Sequence, residues 1–151
     1  VSEYKLGFRS RQRLAGVHPD LVAIVERAID LSTQDFSVLC GVRTKEEQQR
    51  LYDQGRKTPG PIVTWTLNSR HLPAADGFGR AVDLIPNPVD WNDPKKFDAI
   101  SEAMFAAAKQ LGKKLRWGAD WDMDGNARER GESDSPHFEI VVSAPKAKKG
   151  K

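Results

Sequence analysis

Apolar residues recur at helical spacing over residues 19–31, where Leu21, Ile24, Val25, Ala28 and Ile29 share one face and Pro19 suits a first turn. This predicts an amphipathic helix with His18 at its entrance. The run Phe36-Ser37-Val38-Leu39-Cys40 is short and apolar and predicts a buried strand ending at Gly41. Thr44 followed by Glu47 has capping-box spacing, so a second helix is expected over residues 44–54, closed by Gly55. Residues 55–78 lose periodicity and gather Pro, Gly, Thr and Asn, the composition of a loop. Alternation returns in Arg80-Ala81-Val82-Asp83-Leu84-Ile85, a short strand with Ala81, Asp83 and Ile85 on one face.

Asp93-Pro94 opens the longest predicted helix, which runs to about Leu111 with Gly112 as its stop. Phe97, Ile100, Met104, Phe105, Ala108 and Leu111 form its packing side, and Ala103 with Ala106 to Ala108 predict close packing against a sheet. Two further strands are expected at Lys114 to Trp117 and His137 to Val142. In the last of them His137 and Glu139 share one face and Phe138 and Ile140 the other.

Chemistry concentrates where the pattern weakens. His71 lies in the loop and His137 follows a polar acidic stretch, so core packing explains neither. Asp83 is expected among apolar neighbours, where a carboxylate is costly unless it is paired with a cation or a buried arginine. His71, Asp83 and His137 have the ligand count of a catalytic zinc site, three protein ligands with a fourth position open. Asp134, three residues before His137, is close enough in sequence to act on a water there, which points to a metallohydrolase. Arg43 falls at a strand-to-helix junction from which a long cation can reach a cleft, or else pin the helix entrance through a salt bridge.

Other features read as structural. Cys40 is the single cysteine, which excludes an intrachain disulfide and fits a buried thiol. The alternation of Asp120, Asp122, Asp124 and Asn126 suggests a calcium loop, but the glycine and the closing acid are out of register for an EF-hand. It reads instead as a solvated acidic turn, with Trp117 and Trp121 as candidate walls of the cleft.

The chain has 151 residues, 38% apolar and 30% charged, which fits one globular domain over residues 1–143 followed by a basic tail at 144–151. No apolar run approaches the roughly 18 residues of a membrane span, and the first ten residues lack a signal core, so neither stable membrane association nor independent export is expected. The net charge of +3 favours anionic surfaces. No nucleic-acid motif accompanies the basic clusters at Arg9, Arg11 and Arg13 and in the tail, so nucleic acid is not an expected partner. A monomer is expected.

Together, Ser69-x-His71, Gly79-x-Ala81-x-Asp83 and Asp134-x-x-His137-x-Glu139, with Gly41-x-Arg43, Gln48 and Trp117-Gly118-x-Asp120-Trp121, resemble the zinc peptidases of the D-alanyl-D-alanine carboxypeptidase type. Within that superfamily the chain is most similar to phage L-alanyl-D-glutamate endopeptidases, endolysins that cut the peptidoglycan stem peptide. The resemblance implies an α+β fold, a small antiparallel sheet carrying the ligands with helices beside it. It implies one Zn²⁺ on His71, Asp83 and His137, Asp134 as catalytic acid and base, and Arg43 at the substrate or the oxyanion. Ser69, Gln48, Trp117 and Trp121 would contact substrate, and Glu139 would orient His71 or His137. A lytic enzyme of this kind accumulates in the host cytoplasm until a separate membrane-disrupting protein releases it to the wall. A D-alanyl-D-alanine carboxypeptidase or dipeptidase is the alternative of the same chemistry, and a non-enzymatic wall-binding module with structural zinc is the alternative of another class. One departure is clear: residues 72–78 separate His71 from Gly79, about five more than the family pattern, making Asp76 a rival ligand and altering the pocket beside His71.

Overall fold

The computed structural model describes residues 4–64, 66–120, 123–128 and 134–142. Its elements follow the order α1 (Phe8–Arg13), α2 (Pro19–Leu31), β1 (Phe36–Cys40), α3 (Lys45–Asp53), β2 (Ala81–Pro86), α4 (Pro94–Leu111), β3 (Lys114–Trp117) and β4 (His137–Val141). The strands form one antiparallel sheet in the order β1-β2-β4-β3. This is the expected α+β arrangement. The tail at 144–151 lies outside the described residues.

Local chemistry sets the element ends. His18 caps α2 by accepting a hydrogen bond from the Asp20 amide at 3.1 Å through Nδ1. Thr44 and Glu47 form the reciprocal capping box at α3. Asp93 caps α4, and Gly112 ends it in the left-handed conformation at φ 69°. No helix among the described residues is long and apolar enough to cross a membrane.

The sheet has two chemically distinct faces. Val82, Leu84, Leu115, Phe138 and Ile140 point into a core shared with Leu21, Ile24, Val25, Ile100 and Met104 of α2 and α4. The opposite face carries Asp83, Arg116, His137 and Glu139, because strand side chains alternate. Register completes the placement: Asp83 stands opposite His137, and Arg116 opposite Glu139.

Three packing expectations are corrected. Phe105 and Leu111 are each 39% exposed, since α4 buries the arc of Phe97, Ile100, Ala103, Met104, Ala107 and Ala108 instead. Ala106 is exposed as well, and the small-residue arc meets α2 in addition to β2 and β3. In β1, Leu39 is 40% exposed because alternation turns it away from the core that Phe36 and Val38 face, and the register shifts between Val38 and Cys40. That irregularity sets Cys40 opposite Asp83, whereas strict alternation would have left it on the side of Val38.

The short helix α1 was not foreseen. It seats against β1, where Arg13 donates to the Val38 carbonyl and Ser10 accepts from the Val38 amide. A Cβ at Gly41 would lie 1.9 Å from the Arg13 carbonyl oxygen. Gly41→Ala is therefore expected to lower stability by about 3 kcal/mol, the upper part of the usual range for overpacking. Denaturant unfolding checks this, and an unchanged midpoint would show that α1 gives way freely.

Candidate active site

Two strands and two irregular segments bring the site together. β2 supplies Asp83, β4 supplies His137 and Glu139, the residues before α3 supply Arg43, and the loop supplies Ser69 and His71. The loop is tied to the frame by backbone hydrogen bonds from Arg43 N to His71 O and from Arg80 N to Arg70 O. The Ser69 hydroxyl accepts from the His71 amide at 3.1 Å. These contacts bury His71 to 2% exposure although it comes from an irregular segment.

The two imidazoles converge on one oxygen. His71 Nε2 lies 3.3 Å and His137 Nδ1 3.4 Å from Asp83 Oδ1, with the rings 5.1 Å apart and nearly perpendicular. Their far nitrogens are already engaged, His71 Nδ1 with the Gly41 carbonyl at 2.7 Å and His137 Nε2 with Glu139 Oε1 at 2.9 Å. A carbonyl only accepts, so His71 carries its proton on Nδ1 and its lone pair faces inward. The same logic at Glu139 turns the His137 lone pair inward. Glu139 is thus placed on His137, while the Gly41 backbone takes the corresponding position at His71.

Three electron-pair donors facing one another require positive charge between them. His71 Nε2 and Asp83 Oδ1 are buried without a hydrogen-bond partner, which is the condition a cation would relieve. Protons meet the need otherwise. Burial disfavours a charged His71, but the Asp83 carboxylate outweighs it and raises the pKa to about 10. His137 is likewise raised against its burial by Asp83 and Glu139. Burial opposes ionisation of Asp83, yet both histidines hold its carboxyl well below the usual range. Two neutral imidazoles and a carboxylate suit a divalent metal such as zinc. Cys40, His71 and Asp83 also bring one donor atom each within 4.8 Å of one another. The Cys40 sulfur, however, lies 3.9 Å from His71 Nδ1, the nitrogen whose proton Gly41 already holds.

Charged side chains frame this cluster. Arg43 Nη2 approaches Asp83 Oδ2 at 3.5 Å, and its Nη1 donates to Gln48 Oε1 at 2.9 Å. Asp83 therefore sits among cationic and imidazole groups, not the apolar neighbours expected of it. Asp134 Oδ2 is 3.8 Å from His137 Nδ1 at the rim of a cleft of about 660 Å³, with 51% of its side chain exposed. Burial in the cleft, reinforced by the Asp83 charge, raises its pKa.

Not every candidate lines this cleft. Ser69 does, but Gln48 is 1% exposed and lies behind Arg43, where it also donates to Thr64 Oγ1 and the Thr66 carbonyl. Trp117 belongs to the core face: it stacks on Phe138, donates to the Ser135 carbonyl and borders a different cavity. Its expected place in the cleft wall is thereby corrected, because β3 alternation turns it away. Trp121 lies outside the described residues, as does Asp122. Asp120 uses both carboxylate oxygens on the Asp124 and Gly125 amides. Asp76 pairs with Arg80 at 2.9 Å and accepts from the Phe78 amide, and it does not line the cleft that holds His71 and His137. Two cleft residues went unnoticed in the sequence, Arg70 and Arg116, which approach Glu139 Oε2 at 3.8 and 2.6 Å. The signal for Arg116 was its cross-strand register with Glu139.

The phage L-alanyl-D-glutamate peptidase family matches residues 2–141. The chain belongs to that family. Among relatives of this peptidase, the L-alanyl-D-glutamate peptidase of Escherichia phage T5 is 35% identical over 144 residues, covering 91% of this chain and 98% of its own. The crystal structure of the Serratia marcescens L-Ala D-Glu endopeptidase ChiX superposes with a TM-score of 0.70 at 31% identity, with 92% of each chain covered. The vancomycin-resistance D,D-dipeptidase VanXYg, at 21% identity, shares the fold with a TM-score of 0.51 over 83% of this chain and 50% of its own. The fold is thus shared with the L-Ala D-Glu endopeptidase and the D,D-dipeptidase, as the sequence motifs implied, and the chain is a peptide-bond hydrolase.

Proposed function

We propose that this chain is a zinc-dependent endopeptidase that cuts the L-alanyl-D-glutamate bond of peptidoglycan stem peptides during host lysis. The observation that carries the metal is the inward convergence of His71 Nε2, Asp83 Oδ1 and His137 Nδ1, two of them buried and without hydrogen-bond partners. These three residues would hold the ion. When bound, zinc supplies Lewis acidity toward a water and the scissile carbonyl.

The chain's own groups do the rest. Asp134, with a raised pKa and a position beside His137, takes the proton from the attacking water and delivers it to the leaving amine. Arg43 stands over Asp83 with its guanidinium braced by Gln48, placed to stabilise the oxyanion or grip a substrate carboxylate. Gly41 and Glu139 fix the two imidazoles from behind, and Arg116 fixes Glu139. Wall affinity arises from the cleft and the basic surface. The enzyme acts on the wall after a separate membrane-disrupting protein opens the route from the host cytoplasm.

Mass spectrometry of digested Gram-negative peptidoglycan tests this reading. New D-glutamate amino termini with free L-alanine carboxyl ends are the expected products. Release of terminal D-alanine would replace it with a D,D-carboxypeptidase, and no product from folded, zinc-loaded protein would overturn it.

A further inference from the structure

The turn that carries Asp134 is held by Trp117 and Gly118, where β3 ends. Gly118 donates its amide to the His137 carbonyl at 2.7 Å and accepts the Asp134 amide on its own carbonyl at 3.1 Å, and the His137 amide closes the turn on the Asp134 carbonyl at 3.0 Å. The Trp117 indole N–H donates to the Ser135 carbonyl at 2.7 Å from its buried place against Phe138. Two consecutive residues thus fix backbone groups of Asp134, Ser135 and His137. The Asp134 carboxylate is half-exposed and accepts no hydrogen bond among the described residues. Its position therefore depends on the turn that bears it.

Gly118 is needed there for space. Its φ lies outside the left-handed region, so the backbone conformation does not ask for glycine. A Cβ at this position would run into the Asp134 carbonyl oxygen and would lie 2.8 Å from the Asp134 Cβ and 3.0 Å from the His137 Cβ. Resting on the reading of Asp134 as acid and base, we infer that Trp117 and Gly118 are positioning residues for its carboxylate. The missing side chain at Gly118 lets the turn close against the end of β3, and the indole N–H locks it there. Neither residue lines the cleft, so each acts through Asp134 and not on the substrate. Added bulk at Gly118 displaces Asp134 more than His137, because His137 is paired with Asp83 in β2 and bonded to Glu139 while Asp134 stands at the open rim.

The test uses the full chain loaded with zinc, with rates on a stem peptide followed by mass spectrometry. Gly118→Ala is expected to lose about a hundredfold in kcat, the cost of moving a reacting group by about 1 Å, with KM within about threefold of the parent and zinc still stoichiometric. Trp117→Phe keeps a ring against Phe138 and removes the indole N–H, so it should lose kcat in the same sense to a smaller extent, and it carries the test should Gly118→Ala fail to fold. A merely structural role would lower the unfolding midpoint and leave kcat per zinc-loaded molecule unchanged. The decisive readout is each substitution placed in the Asp134→Asn background, where it should change kcat by less than about twofold because the group it positions is gone. Losses that multiply in that background, loss of zinc, or a kcat that both substitutions leave unchanged overturn the inference while leaving the role of Asp134 standing. Parent-like activity of Asp134→Asn alone overturns that role and the inference with it.

Discussion

Asp134→Asn is expected to keep its metal and fold and to lose about a thousandfold in kcat/KM, in the middle of the range for removing a general acid-base group. The side chain is half-exposed at the cleft rim, so the amide replaces the carboxylate without creating a cavity. It does not belong to the converging set: Oδ2 stands 3.8 Å from His137 Nδ1, whereas both histidines lie 3.3 to 3.4 Å from Asp83 Oδ1. An amide has no basic oxygen to take the proton of the attacking water and none to give back to the amine, so both halves of the reaction suffer. Zinc stoichiometry by atomic emission and initial rates on a stem peptide separate the roles. Activity within about tenfold of the parent would remove Asp134 from the proton transfer, and loss of metal would make it a ligand.

The elements that carry the site were legible because their signals are local. The capping box at Thr44, the proline and glycine that bracket α4, and the alternation in β2 and β4 each depend on a few neighbouring residues. They were enough to set Asp83 apart from Val82 and Leu84 in β2 and to put His137 and Glu139 on one face of β4, while the pairing that joins these residues on one sheet face came from the structure. What stayed hidden depends on contacts between distant segments. Helix α1 has only six residues, a glycine N-cap without a side-chain bond and Phe8 at 76% exposure, so no periodic face announces it. The shift at Leu39 follows from pairing with β2, and the same irregularity brings Cys40 beside His71. The Gly41 carbonyl that orients His71 leaves no trace in side-chain identity at all. Trp117 illustrates the reverse error: a motif places it near the site in sequence, while strand alternation turns it into the core.

His137→Ala is expected to abolish stoichiometric zinc binding and activity together while leaving the fold intact. The ring contributes one of three inward donors, and its removal leaves only His71 and Asp83 facing the cation. The sheet survives because Glu139 keeps its 2.6 Å contact with Arg116, and Phe138 and Ile140 on the opposite face stay in the core. Apparent zinc affinity should fall by more than the roughly 10- to 100-fold typical of losing a residue that only orients a ligand, and Glu139→Gln is the comparison that defines that smaller step. The pH dependence adds an independent check. Zinc must displace the protons that Asp83 holds on the histidines, and His71 retains its own up to a pKa of about 10. Affinity in the unsubstituted chain therefore rises with pH through neutrality, by about tenfold per unit for each proton released. In H137A one of those protons is gone, so any residual binding should show a shallower slope in competition titrations at several pH values. Retained stoichiometric zinc with the parent's slope would exclude His137 as a ligand and return the cation to the Cys40 side of His71.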